Sequence, residues 1–289
     1  MKNSIFFTSV FLIASCGGGD PENDTTGVQL NYDSVLNSVD SAGLNKLMPL
    51  ADSINGKPNE MVLQKENGLR VEWERKNQGV TITASDVVMI NYSARVSGGD
   101  PYDSNEKIGK PVPVKVGLGL MVPGMEEGLQ AMHAGDKGRI MIPSKLGYGA
   151  DGLDKFVPPN SSLIVVIEIV EVLEPIVLEK GVRVYKWQES DSGKTAMKNQ
   201  WITFDYFAYC QGSEGKMYDN SFQNGEPYKM KFQNDNLMEG LHIGMSVLKP
   251  GENAMVHIPA KLAYGSKGLH DLVPANTDVM YDIRVISIK

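Results

Sequence analysis

Two cysteines in 289 residues, at positions 16 and 210, are too few for a disulfide framework. Histidine is almost as scarce. The four at 133, 242, 257 and 270 show no spacing of three or four residues, so no helix presents a paired-imidazole metal face, and neither a metal nor a cofactor is expected. Positive charge is also in deficit: 28 Lys and Arg against 35 Asp and Glu leave a net charge of −7. With no basic run to track a phosphate backbone, nucleic acid is excluded as an expected partner. Missing too is any apolar run of about 20 residues, the length a helix needs to span a bilayer. Neither a Ser-His-Asp arrangement nor a phosphate-binding glycine loop stands out, which argues against hydrolase and nucleotide chemistry.

The N-terminus has a pattern of its own. Lys2 precedes a mostly apolar run from Ile5 to Ala14, followed by Ser15-Cys16, and residues 1–15 read as a signal peptide. Small residues before Cys16 resemble the bacterial lipobox, in which that cysteine becomes a lipid-bearing first residue; two or three acyl chains anchor a protein stably. Gly17 replaces the Asp that would resemble an inner-membrane retention signal. The expected location is therefore the cell envelope, at the outer membrane. With Cys16 lipidated, Cys210 is left alone at the end of an apolar strand and reads as packing. Residues 16–60 are rich in Gly, Asp, Asn and Ser and read as a tether. Val35, Val39, Leu44 and Met48 fall near helical spacing ahead of Pro49, so a short helix over 35–48 is expected, with homodimerisation through it as one outcome. Asp33-Ser34-Val35, Asp40-Ser41-Ala42 and Asp52-Ser53-Ile54 resemble bacterial O-glycosylation sites.

The remaining chain repeats itself at an offset of 116 residues. Tyr102-Asp103 returns as Tyr218-Asp219, and Ile142-Pro143 through Tyr148-Gly149 returns as Ile258-Pro259 through Tyr264-Gly265. About 20 of 72 positions from Tyr102 to Leu173 recur without a gap. So long a period means a duplicated domain, not a solenoid. Val88, Ile90, Tyr92, Ala94 and Val96 alternate as a half-buried strand does, and so do Ile202, Phe204, Tyr206 and Ala208. Val165, Ile167 and Ile169, and later Tyr281, Ile283 and Val285, form a second alternating pair. Met125, Leu129 and Met132, like Leu241, Met245 and Leu248, make the apolar stripe of a short helix, with Gly135 and Gly251 as expected C-terminal caps. The class is α+β, with domains over 61–174 and 175–289. A junction as short as Glu174-Pro175 makes the two domains touch or swing within a narrow range.

Tyr102-Asp103-Ser104, Pro123-Gly124-Met125-Glu126-Glu127-Gly128-Leu129, Gly135-Asp136, Ile142-Pro143, Leu146-Gly147-Tyr148-Gly149 and Val157-Pro158-Pro159 together resemble the FKBP family of peptidyl-prolyl isomerases. The second unit resembles it with weaker motifs. The resemblance implies an antiparallel half-barrel wrapped around one helix, with an apolar pocket for a proline ring. In the first domain it implies Tyr92, Tyr102, Asp103, Val122 and Tyr148 as the catalytic set, with Val112, Met121, Met125, Phe156, Val157 and Val165 completing the pocket. In the second it implies Tyr206, Tyr218, Asp219, Tyr228, Leu237, Met238, Leu241, Tyr264, Leu272, Val273 and Tyr281. The backbone N–H of Val122 or Met238 would bind a substrate carbonyl, and the hydroxyl of Tyr148 or Tyr264 another. Met125 and Leu241 stand where most of the family has Trp, and Ile108 and Asn224 where an Arg often pairs with the pocket Asp.

Two functional classes follow from this reading. One is a foldase that accelerates X-Pro isomerisation in unfolded envelope proteins. The other is a non-enzymatic proline-binding or chaperone lipoprotein with two apolar clefts.

Overall fold

Alternating apolar residues give a strand one face to bury, and the two alternating segments of each repeat become the centre of a sheet. The computed structural model describes residues 53–54, 57–58, 61–210 and 216–289. The leader, Cys16, the helix expected over 35–48 and the triplets at 33 and 40 lie outside the described residues. Within the stretch read as a tether, β1 (Ser53–Ile54) pairs with β2 (Lys57–Pro58) in a short antiparallel hairpin.

The first sheet comprises β3 (Val62–Gln64), β4 (Arg70–Arg75), β5 (Val87–Val96), β6 (Pro101–Ser104), β7 (Val112–Lys115), β8 (Lys137–Ile142) and β9 (Leu163–Leu173). Its order is β3-β4-β8-β9-β5-β6, antiparallel throughout, and β7 shares the β5 edge with β6. The chain between β7 and β8 carries α1 (Pro123–Leu129). The second sheet repeats this plan with β10 (Ile176–Val177), β11 (Arg183–Gln188), β12 (Trp201–Cys210), β13 (Lys216–Asn220), β14 (Tyr228–Lys231), β15 (Asn253–Ile258) and β16 (Val279–Ile288). Its order is β10-β11-β15-β16-β12-β13, with β14 on β12, and α2 (Glu239–Met245) falls between β14 and β15. Two tandem α+β domains of one topology result.

A seven-residue helix is too short to persist alone, so packing on the sheet must hold it. The seat is cut by glycines one turn apart. A Cβ at Gly124 would lie 2.4 Å from Ile142 Cγ2, and one at Gly128 2.6 Å from Ile140 Cγ2. Gly240 and Gly244 repeat this against Ile258 and Val256, at 2.1 and 2.4 Å. Met125, Leu129 and Met132 are all buried, as are Leu241, Met245 and Leu248, although the third member of each stripe lies in the turn after the helix.

The expected glycine caps are corrected by the structure. The helices stop at Gln130 and Ser246, both right-handed, and the chain continues in tight turns. Gly135 and Gly251 adopt φ of 86° and 84° further on, where each N–H donates to a closing strand, at Ile169 O (2.9 Å) and Val285 O (2.8 Å). They enter the next strand and do not end the helix.

Each sheet buries its concave face in its own core, and the convex faces meet. Val87, Met89, Leu118 and Leu173 of the first domain form one buried cluster with Tyr185, Phe207, Tyr209, Met255 and Met280 of the second. Lys110 adds a contact across the junction, its Nζ 5.9 Å from the Trp187 ring. This contact explains why Val87 through Ile90 are buried on both faces, where a half-exposed strand would alternate. Among the described residues, no helix is long and apolar enough to cross a membrane.

Candidate active site

The long central strand β5 carries Tyr92 and Ala94 on the face that looks toward α1, and its neighbour β9 sets Val165 opposite Ala94. Beside them β6 brings Tyr102 and Asp103, the entry to α1 brings Val122 and Met125, and the turn after β8 brings Tyr148. These residues, with Leu163, line one crevice. It is narrow, leaving roughly 10 Å³ for the centre of a water, about one molecule. Three phenol rings stand in the wall, and two of them, Tyr102 and Tyr148, meet edge to face with centroids 6.4 Å apart.

A single carboxylate organises this apolar space. Tyr92 donates its hydroxyl to Asp103 Oδ2 at 2.9 Å. Burial raises the Asp103 carboxyl above its ordinary range, against the opposing effect of that hydrogen bond and of the Ser104 N–H. Burial, reinforced by the Asp103 charge, pushes the Tyr92 phenol far above its usual value, and the phenols of Tyr102 and Tyr148 are raised chiefly by burial as well. All three therefore remain neutral hydroxyls at any physiological pH.

The turn carrying Tyr148 is built twice to one plan. Gly152 donates to Tyr148 O at 3.2 Å and Leu153 to Val157 O at 2.8 Å; Gly268 and Leu269 do the same to Tyr264 O and Val273 O at the same distances. Gly152 sits at φ 66°, and a Cβ there would lie 2.4 Å from Val157 O. Only glycine fits.

The loop before α1 is held by Glu126, whose carboxylate accepts Gly117 N–H at 2.6 Å and Gly119 N–H at 3.0 Å. Its neighbour Glu127 pairs with Lys65 at 2.8 Å. In the second domain His242 replaces Glu126 by repeat position, and its Nδ1 accepts Gln233 N–H at 3.1 Å. Val122 enters α1 with extended backbone (φ −60°, ψ 145°), and Met238 enters α2 alike (φ −57°, ψ 136°). Among the described residues neither N–H meets an intramolecular acceptor.

Val112, Met121 and Val157, expected in the first pocket, are buried in the core and are not among the residues that line the crevice. Phe156 is 44% exposed and also stands outside the lining. Ala94 and Leu163 line it and were not singled out from sequence; both lie at inward positions of the alternating strands, which was the available signal.

The second site keeps the Tyr-Asp pair, with Tyr206 donating to Asp219 Oδ2 at 2.7 Å, but its interior differs. Tyr281 faces Ala208 across the ladder as Val165 faces Ala94. Its ring is buried against Tyr206 (centroids 5.5 Å), and its hydroxyl accepts from Tyr218 at 3.0 Å. Tyr264 packs edge to face on Tyr218, and Tyr228 on Tyr206. Leu241 and Val273 are buried, Leu237 and Met238 are half-buried against the core, and Leu272 is exposed. Cys210 is buried, its Sγ 3.9 Å from Leu272 O.

A family model for FKBP-type peptidyl-prolyl cis-trans isomerase matches residues 79–170 and again 192–286. The chain belongs to that family. FKBP10 of Mus musculus, named a peptidyl-prolyl cis-trans isomerase, is 23% identical over 72% of this chain and 35% of its own length. A probable FKBP-type isomerase of Haemophilus influenzae is 35% identical over 37% of this chain and 44% of its own. Among solved structures, the three FKBP domains of wheat FKBP73 align at 23% identity with a TM-score of 0.41, covering 79% of this chain and 98% of that one. This FKBP chain spans about a third of the length of the first curated relatives it matches.

Proposed function

We propose that the chain is a peptidyl-prolyl cis-trans isomerase whose working site is the crevice of the first domain. The observation that carries this reading is the unclaimed Val122 N–H at an apolar, phenol-lined crevice. Rotation about a peptide bond faces a barrier of ~18–20 kcal/mol because the amide is resonance-stabilised. At the twisted transition state the nitrogen is pyramidal and the carbonyl less polar. A crevice that excludes water removes the solvation favouring the planar form, and catalysis becomes differential binding without covalent chemistry. The Val122 N–H holds a substrate carbonyl, the Tyr148 hydroxyl can donate to a second, and Asp103 fixes the orientation of Tyr92. Met125 forms a floor more compliant than an indole. A proline ring is larger than the free space, so the tyrosine rings must part to admit it.

The second domain, in this reading, serves mainly as a docked partner, because Tyr281 occupies the volume that Val165 leaves open in the first.

The test is a proline-limited refolding assay on the full chain. Asp103→Val is expected to lower kcat/KM by about tenfold or more, and Asp219→Val to leave it within about twofold. Wild-type protein that fails to accelerate refolding, yet suppresses aggregation of a proline-free client, would replace the foldase with a chaperone.

The same reading places the chain on the cell envelope, lipid-anchored through Cys16 at the outer membrane, with unfolded envelope proteins as clients. Its support is the sequence pattern around Cys16. Labelled palmitate incorporated by the wild type and not by Cys16→Ser is the expected result; equal labelling rejects the anchor.

A further inference from the structure

A cavity of about 440 Å³ opens at the junction of the two domains and shares no lining residue with the first tyrosine crevice; its size is within the ~300–1,000 Å³ range of small-molecule sites. Ser85 and Lys115 line it from the first domain; Arg183, Tyr185, His257 and Lys261 are among the residues that line it from the second. Tyr185 also crosses the junction, its hydroxyl 3.4 Å from Ser85 O.

The charge in this cavity is unbalanced. Lys115, on the edge strand β7, is 7% exposed, yet among the described residues it takes part in no ion pair within 4 Å; neither do Arg183 and Lys261. Lys180, also in the lining, is neutralised by Glu239. The acids nearest Lys115 are engaged elsewhere. Asp86 Oδ2 accepts the Thr83 N–H and hydroxyl at 2.6 and 2.8 Å, and Glu126 holds the Gly117 and Gly119 amides. Asp278, the acid in the lining, accepts Ala260 N–H at 2.8 Å and meets His257 Nε2 at 3.0 Å. Burial lowers Lys115 to about 8, opposed by the charges of Asp86 and Glu126 and reinforced by that of Arg183, so it is still mostly charged at neutral pH. His257 is likewise lowered, by burial first and by Arg183 and Lys115 among the charges around it. Of these cations only Lys115 is buried; Arg183 and Lys261 are exposed at the cavity's edge, so the site joins one buried, unpaired ammonium to two solvent-accessible charges, and an anion in the cavity would meet all three.

We propose that this junction is a binding site for a small, multiply charged oxyanion of the diphosphate class, held by Lys115, Arg183 and Lys261 and bridging the two domains. Three cations set against the single Asp278 carboxylate of the lining leave a positive excess that suits a multiply charged anion, and the Arg183 fork suits paired oxygens. A recess between domains favours a soluble ligand over a headgroup in a membrane plane. The inference is independent of the prolyl site.

Calorimetry and thermal unfolding of the full chain with pyrophosphate test it. One pyrophosphate per chain is expected to bind at about millimolar affinity or better and to raise Tm, with Lys115→Met and Arg183→Gln each weakening binding about tenfold. Lys115→Met fits its hydrophobic stem in the same space, so its unliganded Tm should equal or exceed that of the wild type. Asp103→Val should bind pyrophosphate normally. The proposal fails if pyrophosphate neither releases heat nor shifts Tm, or if both charge variants bind as the wild type does. It fails equally if phosphatidylglycerol vesicles bind through these residues and pyrophosphate does not.

Discussion

The two sites share a phenol-to-carboxyl hydrogen bond, at Tyr92 and at Tyr206, and are separated by the side chain at position 281, which stands where the first domain has Val165. The Tyr92 hydroxyl is a hydrogen-bond donor to a buried carboxyl, and Tyr92→Phe leaves Asp103 dependent on the Ser104 N–H. Losing a bond to a buried charged acceptor costs about 1–3 kcal/mol. Urea denaturation of Tyr92→Phe should therefore show a loss in that range, together with reduced isomerisation; unchanged stability would mean that the pair contributes nothing. Tyr281→Val is the complementary change. It should recreate in the second domain the space that Val165 leaves in the first, at a cost of a few kcal/mol for the truncated ring and the freed Tyr218 hydroxyl. Proline-peptide binding to an Asp103→Val background should rise on adding Tyr281→Val. If it does not, the ring is not what fills the second site.

At the scale of elements, much of the fold could be read from the sequence because burial repeats at a fixed period. Val88, Ile90, Tyr92 and Ala94 could only be one face of a strand, and the core contains them all. The helix stripe was legible for the same reason, but its ends were not, since both helices are only seven residues long and tight turns carry the apolar spacing past them. Glu126 and His242 looked unrelated by chemistry; only position in the repeat shows that both hold the loop before a helix. The crevice lining was partly legible, through residues whose motif spacing fixes them. Val112 and Met121 are apolar and inward like the lining residues, and alternation alone does not separate core from crevice. The glycine seat of α1 makes a sharp prediction. Helix propensity favours Ala over Gly by about 1 kcal/mol, but a Cβ at Gly128 would meet Ile140 Cγ2 and Cδ1 at 2.6 and 2.7 Å. Overpacking of this kind costs about 1–3 kcal/mol, so Gly128→Ala should destabilise. Adding Ile140→Val, which removes Cδ1, should cost less than the two single changes summed. Strict additivity would show that the helix does not press on that side chain.

For the whole molecule, the deciding feature is a charged residue in the apolar contact between domains. Asp282 on β16 is 1% exposed, and among the described residues neither carboxyl oxygen has a hydrogen-bond donor. Its ladder neighbours are Phe207 and Met255, both in the interdomain cluster. The Trp187 N–H lies close enough to favour the charged form slightly but does not reach hydrogen-bond geometry. Burial dominates and raises the carboxyl from 3.8 to about 7. Below pH 4 the group is protonated in folded and unfolded chains alike, and it imposes no penalty. Between pH 4 and 7 the folded chain keeps a proton that the unfolded chain releases, so this contribution to stability falls as pH rises and is lost above about 7. Asp282→Asn preserves the shape and removes the titration. Against the wild type, the variant should gain stability progressively between pH 5 and 8, by about 2–4 kcal/mol at the upper end, measured by urea denaturation of the full chain. Because the residue sits where the convex faces meet, the wild type should also lose protection from hydrogen exchange at Phe207 and Met255 over the same pH interval. A wild type and a variant whose stabilities run parallel from pH 5 to 8 would mean that Asp282 is ionised and solvated in the folded chain, and that the domain contact is looser than the packing of Val87, Met89 and Tyr209 implies.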